Sequence, residues 1–186
     1  MNKNRKKLSK HISFLLRHKP EQGNLTLDSR GFVHVKDLLT ALNTNLKFPT
    51  TKSDLEELII PSEDPSMKTR FIIEGNYIRA GHGHSVLIAD YEEIIPTENP
   101  YHATPYKNVG VILATGLKAM NRDKVHLSYD KAITFEAAKR RSGNVALLMI
   151  SCTKAHEVGV KFYSSADDRI VLSDDLPPSC LSLMLE

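Results

Sequence analysis

Arginine and histidine stand side by side at Arg17-His18, inside the string Leu15-Leu16-Arg17-His18-Lys19-Pro20. A guanidinium fork grips phosphate through paired hydrogen bonds, and an imidazole changes charge near neutral pH. The pair therefore suits a phosphate that is first held and then transferred. Leu8, Ile12, Leu15 and Leu16 recur at helical spacing, which predicts an amphipathic helix leading up to it. Pro20 disfavours helical geometry at Lys19, so the helix should stop near His18. The partial negative charge of a helix C-terminus favours cations and a protonated imidazole. Taken alone, the same two residues would serve equally well as a plain helix cap.

The 186 residues carry 25 Lys and Arg against 22 Asp and Glu, a formal net charge of +3 that is too mild to indicate nucleic acid. The distribution says more, because residues 1–20 hold Lys3, Arg5, Lys6, Lys7, Lys10, Arg17 and Lys19 and no acidic residue. Such an arm fits either a phosphate backbone or a solvated tail. The length allows one domain or two small lobes with a real core. Cys152 and Cys180 form neither a CxxC pair nor zinc-ligand spacing, so no disulfide framework and no metal are expected. With no signal peptide and no apolar run long enough for a membrane, the expectation is a soluble intracellular protein, cytoplasmic or nuclear.

The elements that must position Arg17 and His18 come next. Asp28-Ser29-Arg30-Gly31 is turn chemistry, and Phe32-Val33-His34-Val35 reads as a short extended run. A helix through Lys36 to Leu42 buries Leu38, Leu39 and Leu42. Ser53 with Glu56 predicts a capping box for another helix, with Leu55, Leu58 and Ile59 on its inner face. Arg70-Phe71-Ile72-Ile73 and Tyr77-Ile78-Arg79-Ala80 flank Glu74-Gly75-Asn76 as a hairpin. Helices followed by a hairpin make a winged-helix pattern, which serves nucleic-acid binding and protein contact alike.

Ile94-Ile95-Pro96-Thr97-Glu98-Asn99-Pro100 reads as a linker. After Tyr101-His102-Ala103-Thr104 comes a helix to Ala114, closed by Gly116. Val125-His126-Leu127-Ser128 predicts a strand, Asp130 to Arg140 a helix, Val145 to Ile150 a strand, and Ile170-Val171-Leu172 a last strand. Neither GxGxxG nor a P-loop occurs, so a nucleotide here would not be held by a glycine-rich phosphate loop.

In order and spacing these strings resemble the RNA 2′-phosphotransferase (tRNA 2′-phosphotransferase) family, from Leu8 to about Leu181. Leu8-Ser9-Lys10 through Pro20 match, then Leu27-Asp28 and Gly31-Phe32-Val33, then Arg70-Phe71, Ile78-Arg79-Ala80 and Gly83-His84-Ser85. The remainder is Tyr101-His102, Gly116-Leu117, Met120, Arg122, Val125-His126-Leu127-Ser128, and Arg141 with Gly143. Two positions depart. The family usually has glycine where Ala103 stands, and glutamine where His82 stands. Ala103 adds a methyl where backbone would approach a cofactor; His82 alters local hydrogen bonding.

The resemblance implies an α+β protein: a winged-helix RNA-binding lobe over residues 1–93, and an ADP-ribosyltransferase-like lobe with two small sheets over residues 97–186. It implies a transferase that consumes NAD without a metal and removes an internal RNA 2′-phosphate, as at tRNA splice junctions. The products would be 2′-hydroxyl RNA, nicotinamide and ADP-ribose 1″,2″-cyclic phosphate. The catalytic set carried over is Arg17, His18, Arg70 and Arg141, with Arg140 in the last place if the register is one residue off. Substrate phosphate or RNA would meet Arg17, Arg70, Arg79, His84, Ser85 and Arg141. NAD would meet His102, Ala103, Thr104, Gly116, His126, Leu127 and Ser128. Partners would be 2′-phosphorylated RNA (a tRNA) and NAD, with no membrane, and the protein would be a monomer. Ile170 aligns where protein-modifying relatives place a catalytic glutamate, and a phosphate nucleophile needs no such carboxylate.

His11, His34 and His156 fit surface or satisfied core positions. Arg79 fits a backbone-phosphate contact, a pocket or a salt bridge in the wing, and Arg169 fits a solvated loop. Three functions compete: the phosphotransferase, an ADP-ribosyltransferase acting on nucleic-acid phosphates or protein, and a silent winged-helix RNA binder. Retention of Arg17, His18, Arg70 and Arg141 speaks against the third.

Overall fold

Leu8, Ile12, Leu15 and Leu16 are buried along one side of helix α1 (Lys3–Arg17), as their spacing predicts. The computed structural model describes residues 3–45, 49–60 and 70–184, with the side chains of Lys3, Asn45 and Arg141 outside the description. Helix α1 ends where Pro20 requires: the N–H groups of His18 and Lys19 both reach back to the Phe14 carbonyl, at 3.1 and 3.0 Å. The Asp28 carboxylate then accepts from the N–H groups of Arg30 (2.9 Å) and Phe32 (2.7 Å), closing a turn in which Gly31 has φ +81°.

Strand β1 (Val33–His34) is shorter than the expected run, because the Val35 N–H bonds the Asn76 carbonyl and opens helix α2 (Val35–Asn45). Helix α3 (Lys52–Ile59) is capped by Thr51 with Asp54, not by Ser53 with Glu56. Ser53 is already inside the helix, whereas Thr51 is extended and can turn its hydroxyl onto the Asp54 N–H. Strands β2 (Phe71–Glu74) and β3 (Tyr77–Ala80) form the expected hairpin around Gly75, and β1 joins to give the order β1-β3-β2. Leu38, Leu42, Leu55, Phe71 and Ile78 complete the core with the α1 leucines.

The chain divides into two compact units, Met1–Tyr91 and Glu92–Glu186. The second contains β4 (Glu93–Ile94), β5 (Tyr101–Pro105), α4 (Val109–Thr115), β6 (Val125–Ser128) and α5 (Lys131–Ser142). Then follow β7 (Val145–Ile150), α6 (Cys152–Glu157), β8 (Phe162–Tyr163), β9 (Ile170–Ser173) and β10 (Leu181–Met184). Part of the expected linker is thus strand: Glu93 and Ile94 pair with Tyr163 and Phe162.

All seven strands are antiparallel in one order, β10-β7-β5-β6-β9-β8-β4, where two small sheets are expected. The join is narrow. Strand β5 holds five pairs with β7 but meets β6 only at Tyr101–Ser128. Beyond that pair the His126 carbonyl accepts instead from the His102 ring, at 3.1 Å, so a side chain continues where the ladder stops. The α+β reading holds for both units, each built of helices on antiparallel sheet.

Candidate active site

The first cluster is built on the end of α1. Its last carbonyls have no helical partner, and the Arg17 carbonyl accepts from the N–H groups of Ser85 (2.8 Å) and Val86 (3.3 Å). That contact brings the Ser85 hydroxyl to 2.9 Å from Nδ1 of His18. Gly83 makes the bend possible with φ +87°, and a Cβ there would lie 3.4 Å from Nη1 of Arg17. Arg17 donates to the Arg70 carbonyl at 3.4 Å, and the Arg70 guanidinium donates to the Ser9 hydroxyl at 3.3 Å. A carbonyl and a hydroxyl oxygen thus help to orient these guanidinium groups. Arg17, His18 and Ser85 are brought together at the end of α1 against the Arg70 backbone, while the Arg70 guanidinium lies on Ser9, about two turns back along the same helix; the side chains suit an anion.

His84 differs from the expectation of a phosphate contact. It is 0% exposed, with Nδ1 3.3 Å from the Tyr91 hydroxyl. Burial, reinforced by the positive charges of Arg17, Arg79 and His18, pushes its pKa down to about 4. The ring is a neutral support behind the cluster, while its neighbour Ser85 is exposed. Arg79 lies over the Phe32 ring, 5.1 Å from its centroid. Glu74 pairs with Arg30 at 3.8 Å, so the wing salt bridge belongs to Arg30.

The second cluster lies in the C-terminal unit, around a cavity of about 500 Å³ that His102, Thr104, Gly116, Arg122 and His126 help to line. Nδ1 of His102 donates to the His126 carbonyl, and Nδ1 of His126 donates to the Lys124 carbonyl at 3.0 Å. In the neutral rings this leaves both Nε2 atoms as acceptors. Burial pushes the His102 pKa below the usual histidine value; the bond to the His126 carbonyl offsets part of the fall and Arg122 adds to it. Gly116 cannot be replaced freely. At φ +92°, a Cβ would sit 2.4 Å from the Leu176 carbonyl oxygen, in the place where Leu117 and Leu176 exchange backbone hydrogen bonds.

Other expected cofactor contacts fall elsewhere. Strand alternation turns Ala103 away from the face of His102 and Thr104, so its methyl is not in the lining. Leu127 is 1% exposed in the core, and the buried Ser128 hydroxyl accepts from the Asp130 N–H at 3.2 Å. Arg141 lies in α5, its side chain outside the description. Neighbouring Arg140 donates to the Glu136 carbonyl at 3.3 Å. Arg169 is not simply solvated: it grips the buried Asp167 through two bonds of 2.9 and 2.8 Å.

Asn108, Lys118 and Lys124 also line the cavity, and residue-type reasoning did not single them out. Asn108 ends a short helical turn just before α4, and Lys118 and Lys124 lie on an irregular segment after it that has no periodicity. Its one sharp signal is conformational, since Met120 has φ +59° and is 84% exposed. Among the described residues no group of three or more His, Cys, Asp or Glu is placed to hold a metal ion. No helix among them is long and apolar enough to cross a membrane.

A model of the RNA 2′-phosphotransferase, Tpt1 / KptA family matches residues 3–175. A relative from Thermococcus kodakarensis is 36% identical over 184 residues, covering 98% of this chain and 99% of the relative. One from Nostoc punctiforme is 39% identical over 178 residues, covering 94% of each. One from Streptomyces coelicolor is 36% identical over 163 residues, covering 87% of this chain and 86% of the relative. Each is described as a "Probable RNA 2′-phosphotransferase". With matches running through both units, the chain belongs to the RNA 2′-phosphotransferase, Tpt1 / KptA family, and is a transferase.

Proposed function

We propose that this protein removes an internal 2′-phosphate from RNA, a tRNA being the expected substrate, with NAD as the acceptor. The meeting of Arg17, His18 and Ser85 at the end of α1, against the Arg70 backbone and with the Arg70 guanidinium on the same helix, is the observation that carries this reading. The N-terminal unit has the helices and hairpin of a winged helix and is assigned the RNA. The C-terminal unit is assigned NAD as an ADP-ribosyltransferase-like lobe. Its cavity fits that substrate: the Nε2 atoms of His102 and His126 can accept from ribose hydroxyls, and Arg122 and Lys118, the latter in an exposed pair with Asp175 at 3.4 Å, bring cations to the lining for a pyrophosphate.

In the first step a 2′-phosphate oxygen bonds to C1″ of the nicotinamide ribose, the bond to nicotinamide breaks, and neutral nicotinamide leaves. In the second, ribose O2″ attacks phosphorus, the bond from phosphorus to the RNA 2′-oxygen breaks, and ADP-ribose 1″,2″-cyclic phosphate departs. Arg17 and Arg70 hold the phosphate and stabilise the charge that develops on it, with Arg141 assigned as the fourth member. His18, fixed at Nδ1 by Ser85, is assigned the proton that the leaving 2′-oxygen requires.

Incubation with a 2′-phosphorylated oligoribonucleotide and NAD, followed by separation of the RNA and nucleotide products, tests the reading. The expected result is 2′-hydroxyl RNA and the cyclic phosphate in equal amounts. RNA that keeps its phosphate and gains ADP-ribose as the end product would instead make the protein an ADP-ribosyltransferase. Unchanged RNA would overturn both.

A further inference from the structure

The face of the N-terminal unit that carries Arg79 continues into a groove. On β3, Ile78 and Ala80 are buried in the core, so Tyr77 and Arg79 share the outward face, about 7 Å apart along the strand. Tyr77 is 51% exposed and meets the His34 ring edge-on, with centroids 5.2 Å apart. Nδ1 of His34 accepts the Lys36 N–H at 3.1 Å, which leaves Nε2–H of the neutral ring as a donor. A cavity of about 570 Å³ follows, lined by His34, Lys36, Thr40, Lys52 and Asn76 above Leu39. Its size lies in the range of ligand sites, about 300–1,000 Å³. None of the lining residues is acidic. Outside the lining, Glu56 meets Lys52 at 3.7 Å with both side chains half in water, a weak contact that RNA phosphate can displace.

Cations in a lining that holds no acidic residue, an exposed aromatic ring, and hydroxyl and amide groups are what single-stranded RNA requires. Phosphates take the cations, a base stacks on the ring, and 2′-hydroxyls find hydrogen-bond partners. We propose that this groove, with Tyr77 at its edge, binds the single-stranded nucleotides flanking the 2′-phosphorylated one, with Tyr77 stacking a base and Lys36 and Lys52 holding phosphates. The proposal rests on reading the Arg17–Arg70 cluster as the phosphate site, since β3, which carries Tyr77, pairs with the strand that starts directly after Arg70.

Fluorescence anisotropy of the full chain, without NAD, tests it with two probes. One is a single-stranded RNA of about twelve nucleotides bearing one internal 2′-phosphate; the other is a dinucleotide bearing the same mark. Tyr77→Ala and Lys36→Glu should each weaken the long RNA about tenfold and leave the dinucleotide within about twofold. Tyr77→Phe should bind like the parent, because the stacking face remains. Both positions are exposed, and unchanged thermal melting verifies the fold of each variant. Undiminished affinity for the long RNA in Tyr77→Ala and Lys36→Glu overturns the proposal, as does an equal loss with the dinucleotide; a groove that takes a protein instead would give the first outcome. The same long RNA without its 2′-phosphate separates this idea from its premise. If the groove variants lose affinity for it while the protein leaves 2′-phosphates untouched, the function falls and the groove stands.

Discussion

The N-terminal cluster and the C-terminal cavity set histidine in different surroundings. At the end of α1, His18 meets the Ser85 hydroxyl beside Arg17, whose guanidinium donates to the Arg70 carbonyl. In the cavity, carbonyls take the Nδ1 protons of His102 and His126, burial favours the neutral ring of His102, and Lys118, Arg122 and Lys124 share the lining. One region offers a side-chain cluster for an anion, and the other offers ring acceptors for hydroxyl groups beside cations of its own. The difference teaches that a residue's chemistry here follows from which backbone atoms surround it.

The largest expected effect breaks the comparison at the N-terminal cluster. Arg17→Ala or Arg70→Ala should lower turnover of 2′-phosphorylated RNA about 10²–10³-fold, with lysine restoring little, because a point charge does not replace a fork. His18→Ala should still release nicotinamide and should build up RNA carrying ADP-ribose on its 2′-phosphate. His102→Ala should slow nicotinamide release itself. Time courses with labelled RNA and NAD separate the two, and equal blockage of nicotinamide release by both would remove the distinction.

His84 sharpens the comparison, being a neutral histidine inside the charged region. Its folded pKa of about 4 lies below the ordinary 6.5, so between those values the unfolded chain binds more protons than the folded one. Its contribution is fully present above about pH 6.5 and is lost as pH falls toward 4, by about 3 kcal/mol in all. Urea unfolding across that window should show a steeper loss for the parent than for His84→Phe. Parallel curves would mean that His84 does not titrate as described.

Gly116→Ala probes the cavity. A methyl 2.4 Å from a carbonyl oxygen, at positive φ, should cost about 1–3 kcal/mol in stability and disturb the cavity wall. Thermal melting reads the first effect and NAD affinity the second. Ser85→Ala should do least. Its backbone N–H still holds the Arg17 carbonyl, so what is lost is the hydroxyl's bond to His18 and its longer one, at 3.4 Å, to that same carbonyl, about 1 kcal/mol or roughly a fivefold fall in kcat. A Tm drop with unchanged kcat would make Ser85 structural only.

Helix α1 and its stop, the hairpin, β6, α5 and β7 were legible because each carries its own periodicity, turn residue or proline. Strands β4 and β8 were not, since two residues show no period and Glu93–Ile94 pairs only with a partner about 70 positions away. The cap of α3 was misplaced by two residues because Thr51 and Ser53 both lie three residues before an acidic side chain, and backbone geometry chooses between them.

The site was legible as residue types. Arg17, His18, Arg70, Ser85, His102 and His126 can be named from the strings that hold them. Helical spacing and Pro20 determine locally that Arg17 and His18 stand at the end of an amphipathic helix. That Ser85 fixes His18, that His84 is a buried neutral support, and that His102 takes the place of a strand's hydrogen bond were decided only by tertiary structure. The reason is physical: local preference sets the conformation of neighbours in sequence, whereas burial and hydrogen-bond partners come from segments tens of residues away, and these determine which histidine carries charge.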